Sequence, residues 1–91
     1  MPYRIEYGGK AASFLASMKN RARARLIDSI RRELEETPFL PASTRKRIDT
    51  AAASAELPEV STWALDMGKH WVTFDVYKSE QTVLIRSFER T

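Results

Sequence analysis

One histidine, His70, stands between a lysine and a tryptophan in the stretch WALDMGKHWVTFDV, residues 63–76. Histidine is the side chain suited to moving protons near neutral pH, so His70 is a candidate acid or base. Trp71 offers a flat apolar ring on which a nucleic-acid base can stack, worth roughly 1–3 kcal/mol. Lys69 precedes the pair, Arg86 and Arg90 follow it, and the run TRKR places Arg45, Lys46 and Arg47 upstream. Cations gathered near one proton-transfer group and one aromatic ring suit a polyanionic ligand. Each residue also has a plainer reading. His70 alternates with Val72, Phe74 and Val76, which places it at the edge of an apolar face, a position where histidines serve packing. Trp71, with Thr73 and Tyr77, points to the opposite face, where a partner or a loop can cover it. TRKR can be a solvated loop. Asp66 and Asp75 can face one another across a hairpin, but two strand acids usually mark plain surface.

The charge is unevenly spread. Residues 1–48 carry 11 Lys or Arg against 5 Asp or Glu, a balance of +6, and residues 49–91 carry 4 against 7, a balance of −3. The positive groups NRARAR, IRR and TRKR all lie in the first half. Such a field favours a polyanion or an acidic protein. The absence of cysteine excludes disulfides and thiolate metal sites, and one histidine leaves a structural zinc without a ligand set. No cofactor or metal is implied. No apolar run approaches the roughly 20 residues of a membrane span, and MPYRIEYGGK lacks the apolar stretch of a signal peptide. A cytoplasmic, soluble protein is expected. Ninety-one residues make one domain, 1–91, burying roughly 60–65% of the surface of the unfolded chain.

The elements that must position these side chains follow from periodicity. YRIEY, 3–7, alternates as a half-buried strand does. Ala11, Phe14, Leu15 and Met18 recur at helical spacing and predict a helix over about 10–19. Leu26, Ile27, Ile30 and Leu34 predict a second, 21 to about 36, with Asn20 as its N-cap and the Thr37–Pro38 step as its stop. In this second helix Arg21, Arg23 and Arg25 lie near the N-terminus and Glu33, Glu35 and Glu36 near the C-terminus. Both placements oppose the helix dipole, while Asp28 and Arg32 form a favourable i, i+4 pair. Residues 37–59 predict a surface loop containing TRKR, with a helical turn at 49–55. Strands over 60–67, 70–78 and 81–89 follow, joined by Gly68–Lys69 and by a turn at Ser79–Gln81. The expected architecture is α+β, β-α-α-β-β-β, an antiparallel sheet with two N-terminal helices on one face.

Phosphate-binding glycine loops, HExxH, nucleophile elbows and acid pairs at motif spacing are absent. The element order, TRKR before the meander, WALDMGKHWVTFDV and the closing VLIRSFERT together resemble the RelE/ParE toxin superfamily. Members often carry a stretch near TRNRKPL, then WELRVGDYRVFYDV, then a last strand ending in a basic residue. Thr44 to Arg47 stand at the first motif. Trp63, Leu65, Gly68, Val72, Phe74, Asp75 and Val76 stand at matching places in the second. VLIRSFERT is also similar to the LLHGFVKKT close of HigB-like members.

The resemblance implies the toxin half of a type II toxin–antitoxin pair, held by a cognate small antitoxin protein. RelE-like members cleave mRNA on the ribosome without a metal, the 2′-hydroxyl attacking the adjacent phosphate. ParE-like members share the fold and act on DNA gyrase. Cleavage needs a base, an acid at the leaving 5′-oxygen and cations around the phosphorane. The family places arginines where this chain has Asp66 and Trp71, and a tyrosine where it has His70. Carried over by position, Arg45, Arg47 and Arg90 bind phosphate and stabilise the transition state, with His70 as acid or base. Lys46, Lys69, Arg86 and Trp71 contact RNA. The expectation is thus a RelE-like mRNA endoribonuclease with an atypical or weakened site. The alternative is a non-cleaving protein of the same fold, either a ParE-like gyrase inhibitor or a degenerate toxin that chiefly binds its antitoxin.

Overall fold

A computed structural model describes residues 2–35, 45–48 and 59–90, with Arg47 described in its backbone only. In chain order the elements are β1 Arg4–Tyr7, α1 Gly9–Ala16, α2 Asn20–Leu34, β2 Arg45–Arg47, β3 Val60–Asp66, β4 His70–Tyr77 and β5 Thr82–Arg90. The strands form one sheet in the order β1-β5-β4-β3-β2. The fold class is the expected α+β. The helices contribute Ala11, Leu15, Ile30 and Leu34 to a core completed by Trp63, Leu65, Val72, Phe74, Val76, Val83, Ile85 and Phe88 from the sheet. Phe14, Met18, Leu26 and Ile27, the rest of both helical stripes, pack half-buried against it.

Three details depart from the sequence expectation. β1 pairs parallel with β5, Arg4 opposite Thr82 and Tyr7 opposite Ile85, so the sheet is mixed. Both helices intervene between β1 and its sheet neighbour, which gives the chain the long crossover that parallel pairing requires. TRKR contributes a strand, β2, which pairs antiparallel with β3, Arg45 opposite Leu65. Lys19 is the N-cap of α2, with no side-chain capping bond. Asn20 instead lies in the first turn, where its side-chain oxygen accepts from the Arg23 guanidinium. The helical turn expected at 49–55 lies outside the described residues.

The dipole argument for α2 holds at one end only. Its first turn carries no acid, but its last turn carries Arg31 and Arg32, which favour the negative end. Asp28 holds Arg31 at 3.0 Å and Arg32 at 2.8 Å, the second being the expected i, i+4 pair.

The β4–β5 turn is held by Glu59, just before β3. Both its carboxylate oxygens accept the Ser79 N–H, at 2.7 and 3.1 Å, and its carbonyl accepts from Lys78 at 2.8 Å. The hydrogen bonds from Ser79 hold the Glu59 carboxyl below the usual glutamate value of 4.5. A group with a lowered folded pKa contributes fully above its unfolded value, and its contribution fades as pH falls through the folded one. We therefore expect the Ser79 amide proton to shift as pH drops below 4.5, and Glu59→Gln to abolish that titration. A flat Ser79 resonance by NMR over this range would show that the carboxylate does not hold the turn.

Candidate functional site

The β3–β4 hairpin builds the site. The Met67 N–H donates to the His70 carbonyl at 2.9 Å, leaving Gly68 and Lys69 as the two turn residues. Gly68 has φ +89°, the positive value that the first position of a tight hairpin turn takes and that side chains with a Cβ disfavour. Its N–H donates to Oδ1 of Asp66 at 2.8 Å. Asp66 therefore closes the turn, as aspartates do when they bond a backbone two residues on. Lys69 is exposed at the tip.

Strand alternation then sorts the residues by face. Asp66 opposes Trp71, and Trp71 opposes Glu89 across β4 and β5. All three lie on the face turned away from the helices, where Trp71 is 37% exposed. His70 opposes Arg90, on the helix-covered face. There the His70 ring meets Phe14 of α1 edge-on at 5.3 Å, and Phe14 stacks on Phe88 of β5 at 4.9 Å. The imidazole thus rests on Phe14, which Phe88 in turn backs from the sheet.

A register shift in β5 decides where Arg90 goes. Thr73 pairs with Ser87 and Phe74 with Ile85, leaving Arg86 as the extra residue of a β-bulge. One added residue reverses the alternation. Before the bulge Val83 and Ile85 face the core; after it Phe88 does, and Arg90 follows Phe88 onto the side of His70. Arg86 reaches the other way, its guanidinium 3.4 Å from the carboxylate of Asp75. Asp75, nearly buried, also accepts from the Thr62 hydroxyl at 2.7 Å, so its neighbour across the strand pair is a threonine and not Asp66.

Gly68, Lys69, His70 and Arg90 line one open cleft of about 360 Å³. Among the described residues neither Lys69 nor Arg90 enters an ion pair, so both charges remain available to a ligand. A second hollow of about 370 Å³ continues from the same turn onto the helices, lined by Met18, Ala22, Arg25, Leu26, Ser29 and Met67 besides residues 68–70. Met18, Arg25 and Leu26 had been legible only as parts of a stripe or a charge run. Their meeting with the hairpin is a tertiary contact without a local sequence signal.

The remaining sequence candidates lie apart from the cleft. Arg45 is 9% exposed, and its guanidinium donates to the Glu33 carbonyl at 3.3 Å. It serves the C-terminal end of α2, where a cation is favoured. Lys46 is exposed on β2, opposite Ala64 and so on the face of Trp71. The backbone of Arg47 pairs with Trp63. Among the described residues, no group of three or more histidines or acids is placed to hold a metal. No described helix is long and apolar enough to cross a membrane.

No family model matches the sequence, and no curated protein matches it by sequence alone. Solved structures do match. The chain is similar to the archaeal RelE–RelB complex of Pyrococcus horikoshii OT3, at 15% identity and a TM-score of 0.75, over 99% of this chain and 96% of that one. It is similar to the toxin–antitoxin complex RelBE2 of Mycobacterium tuberculosis, at 18% identity and 0.71, over the whole of both chains. It also matches the isolated RelE toxin of E. coli, at 15% identity and 0.62, over 98% and 84%. The fold of this chain is the RelE fold.

Proposed function

We propose that this protein is the toxin of a type II toxin–antitoxin pair, acting in the cytoplasm on translation by cutting mRNA at the hairpin cleft. The observation that carries this reading is the cross-strand pair His70 and Arg90 beside Lys69 in one cleft. Among the described residues that line it, His70 is the group suited both to take a proton from a 2′-hydroxyl and to return one to the leaving 5′-oxygen. Arg90 and Lys69 bring two positive charges to a phosphate at the same place, where charge accumulates as the phosphorane forms. Arg45 orders β2 against α2, and through it the exposed Lys46. Arg86 and Trp71 give the opposite face a cation and a ring for the flanking RNA. A small antitoxin, as in the RelB complexes of the structural neighbours, holds the protein inactive.

A second reading has its own support. Asp66, Trp71 and Glu89 adjoin one another on the far face, where two carboxylates repel phosphate. That surface suits a protein ligand, as in a gyrase inhibitor or a toxin reduced to binding its antitoxin.

Induced expression without an antitoxin, followed by primer extension on a reporter mRNA, separates the two. The first reading expects new cuts that disappear when the reporter is not translated. Growth arrest with intact mRNA favours the second, and soluble, folded protein giving neither cuts nor arrest overturns both toxic activities.

A further inference from the structure

Among the described residues β1 is an edge strand, with β5 on one side of it and no strand on the other. Its backbone alternates between the two sides. The N–H groups of Arg4 and Gly8 donate to the carbonyls of Gln81 and Ile85, each at 2.9 Å, so residues 4, 6 and 8 turn their backbone toward β5. Tyr3, Ile5 and Tyr7 turn theirs to the open side. The Glu35 carbonyl, at the end of α2, takes the Tyr3 N–H. Ile5 is the centre of what remains, and among the described residues its N–H and carbonyl have no hydrogen-bond partner. The side chains alternate as well. Tyr3, Ile5 and Tyr7 pack half-buried against the core and keep apolar surface beside the edge. Arg4 and Glu6 stand on the other face, joined by a salt bridge of 2.9 Å with 70% and 50% of their side chains exposed.

We propose that this edge pairs antiparallel with the same strand of a second copy of the chain, across a two-fold axis at Ile5. Ile5 then exchanges both backbone hydrogen bonds with Ile5 of the other copy, and each five-stranded sheet continues into the other. Charge selects this register. With the axis at Ile5, Arg4 of each copy stands opposite Glu6 of the other, a favourable cross-strand pair on both sides of the axis. An axis at Arg4 sets arginine against arginine, and one at Glu6 sets carboxylate against carboxylate. An axis at Tyr7 runs Ile5 against Gly9, where α1 begins. Parallel pairing in register again juxtaposes like charges. On the helix side the Ile5 axis brings the two Ile5 side chains together and sets Tyr3 opposite Tyr7, covering the apolar surface left along the edge. Charges on an edge strand ordinarily repel further strands. Here they are complementary to themselves, which selects a second copy over an unrelated strand. β1 adjoins Thr82–Ile85, so the pairing uses none of the residues lining the cleft and does not rest on the function proposed above.

The interface is a strand of four residues on each side, so the dimer should be weak and depend on concentration. Sedimentation velocity on the full chain should show the average mass rising from one chain toward two as concentration approaches roughly half a millimolar. Arg4→Glu and Glu6→Arg, both at exposed positions outside the core, should each weaken self-association by roughly tenfold or more. An equimolar mixture of the two variants should regain it as a heterodimer, because every acid of one copy then meets a base of the other. Ile5→Pro removes the central donor at an edge position where sheets tolerate proline, and it should abolish the dimer with an unchanged far-ultraviolet spectrum. Where that variant fails to fold, the charge mixture decides alone. A monomer throughout the range, a dimer indifferent to both single charge changes, or a mixture associating no more than its components overturns the pairing.

Discussion

Under the proposed function, replacing Arg90 by alanine is expected to lower the rate of RNA cleavage by roughly 10²–10³-fold, the loss seen when one donor is removed from a developing charge. Arg90 is exposed and without an ion pair among the described residues, so its removal breaks no ion pair of the fold. Its backbone, in contrast, is fixed by pairing with His70, which sets the root of the side chain opposite the imidazole. Circular dichroism and the denaturation midpoint should stay at wild-type values while cleavage falls. Arg90→Lys, which keeps the charge and loses the planar fork, should land between the two. Wild-type cleavage by Arg90→Ala would take this residue out of the chemistry and leave Lys69 to carry the cleft.

The largest effect on stability should come from Trp63. It is 1% exposed, lies nearly parallel to Phe74 at 6.4 Å, and donates its indole N–H to the Ser61 hydroxyl at 2.9 Å. Trp63→Ala opens a cavity in the middle of the sheet face that the helices cover, at roughly 3–5 kcal/mol. It also strips the buried Ser61 of its donor, about 1 kcal/mol more. Against a total stability of about 5–15 kcal/mol for a domain of this kind, much of the folded population is at stake. Trp63→Phe keeps the ring stack and loses the hydrogen bond, so it should cost far less. Urea titrations of the three proteins measure this directly. A midpoint for Trp63→Ala close to wild type would mean that the core closes over the gap, contrary to its packing between β2, β4 and the helices.

The helices and the three closing strands were legible because each carries its own period. Ala11 and Leu15, and Ile30 and Leu34, lie where helical spacing put them, and Val72, Phe74 and Val76 alternate as expected. What the sequence concealed was set by distant neighbours. YRIEY reads as a strand, but nothing in it says that its partner is β5 or that the pairing is parallel. TRKR has no apolar alternation, and Arg45–Arg47 form a strand because β3 offers an edge. The bulge left a trace: Arg86 and Ser87 form a polar pair between Ile85 and Phe88, a break in the two-residue rhythm. Without that bulge Arg86 and Arg90, both at even positions, would share a face. The resemblance to RelE toxins reached the fold that the structural neighbours share. It placed Arg45 and Arg90 in one functional group, whereas the folded chain sets Arg45 against the Glu33 carbonyl and Arg90 opposite His70.

The parallel pairing of β1 with β5 also orders events in time. Arg4 and Thr82, 78 residues apart in sequence, must find one another before the sheet exists, and contacts of such separation form slowly. β5 lies between β1 and β4, so a nascent chain that has made everything else still leaves β1 without a neighbour and β4 with one open edge. It also lacks Phe88 to steady Phe14, and Arg90 to face His70. Until β5 is made, the apolar faces of α1 and α2 stand open, the condition under which partly made chains aggregate or are taken up by chaperones. The cleft is therefore the last part of this molecule to be assembled, and no ribosome engaged on the earlier strands has yet produced it.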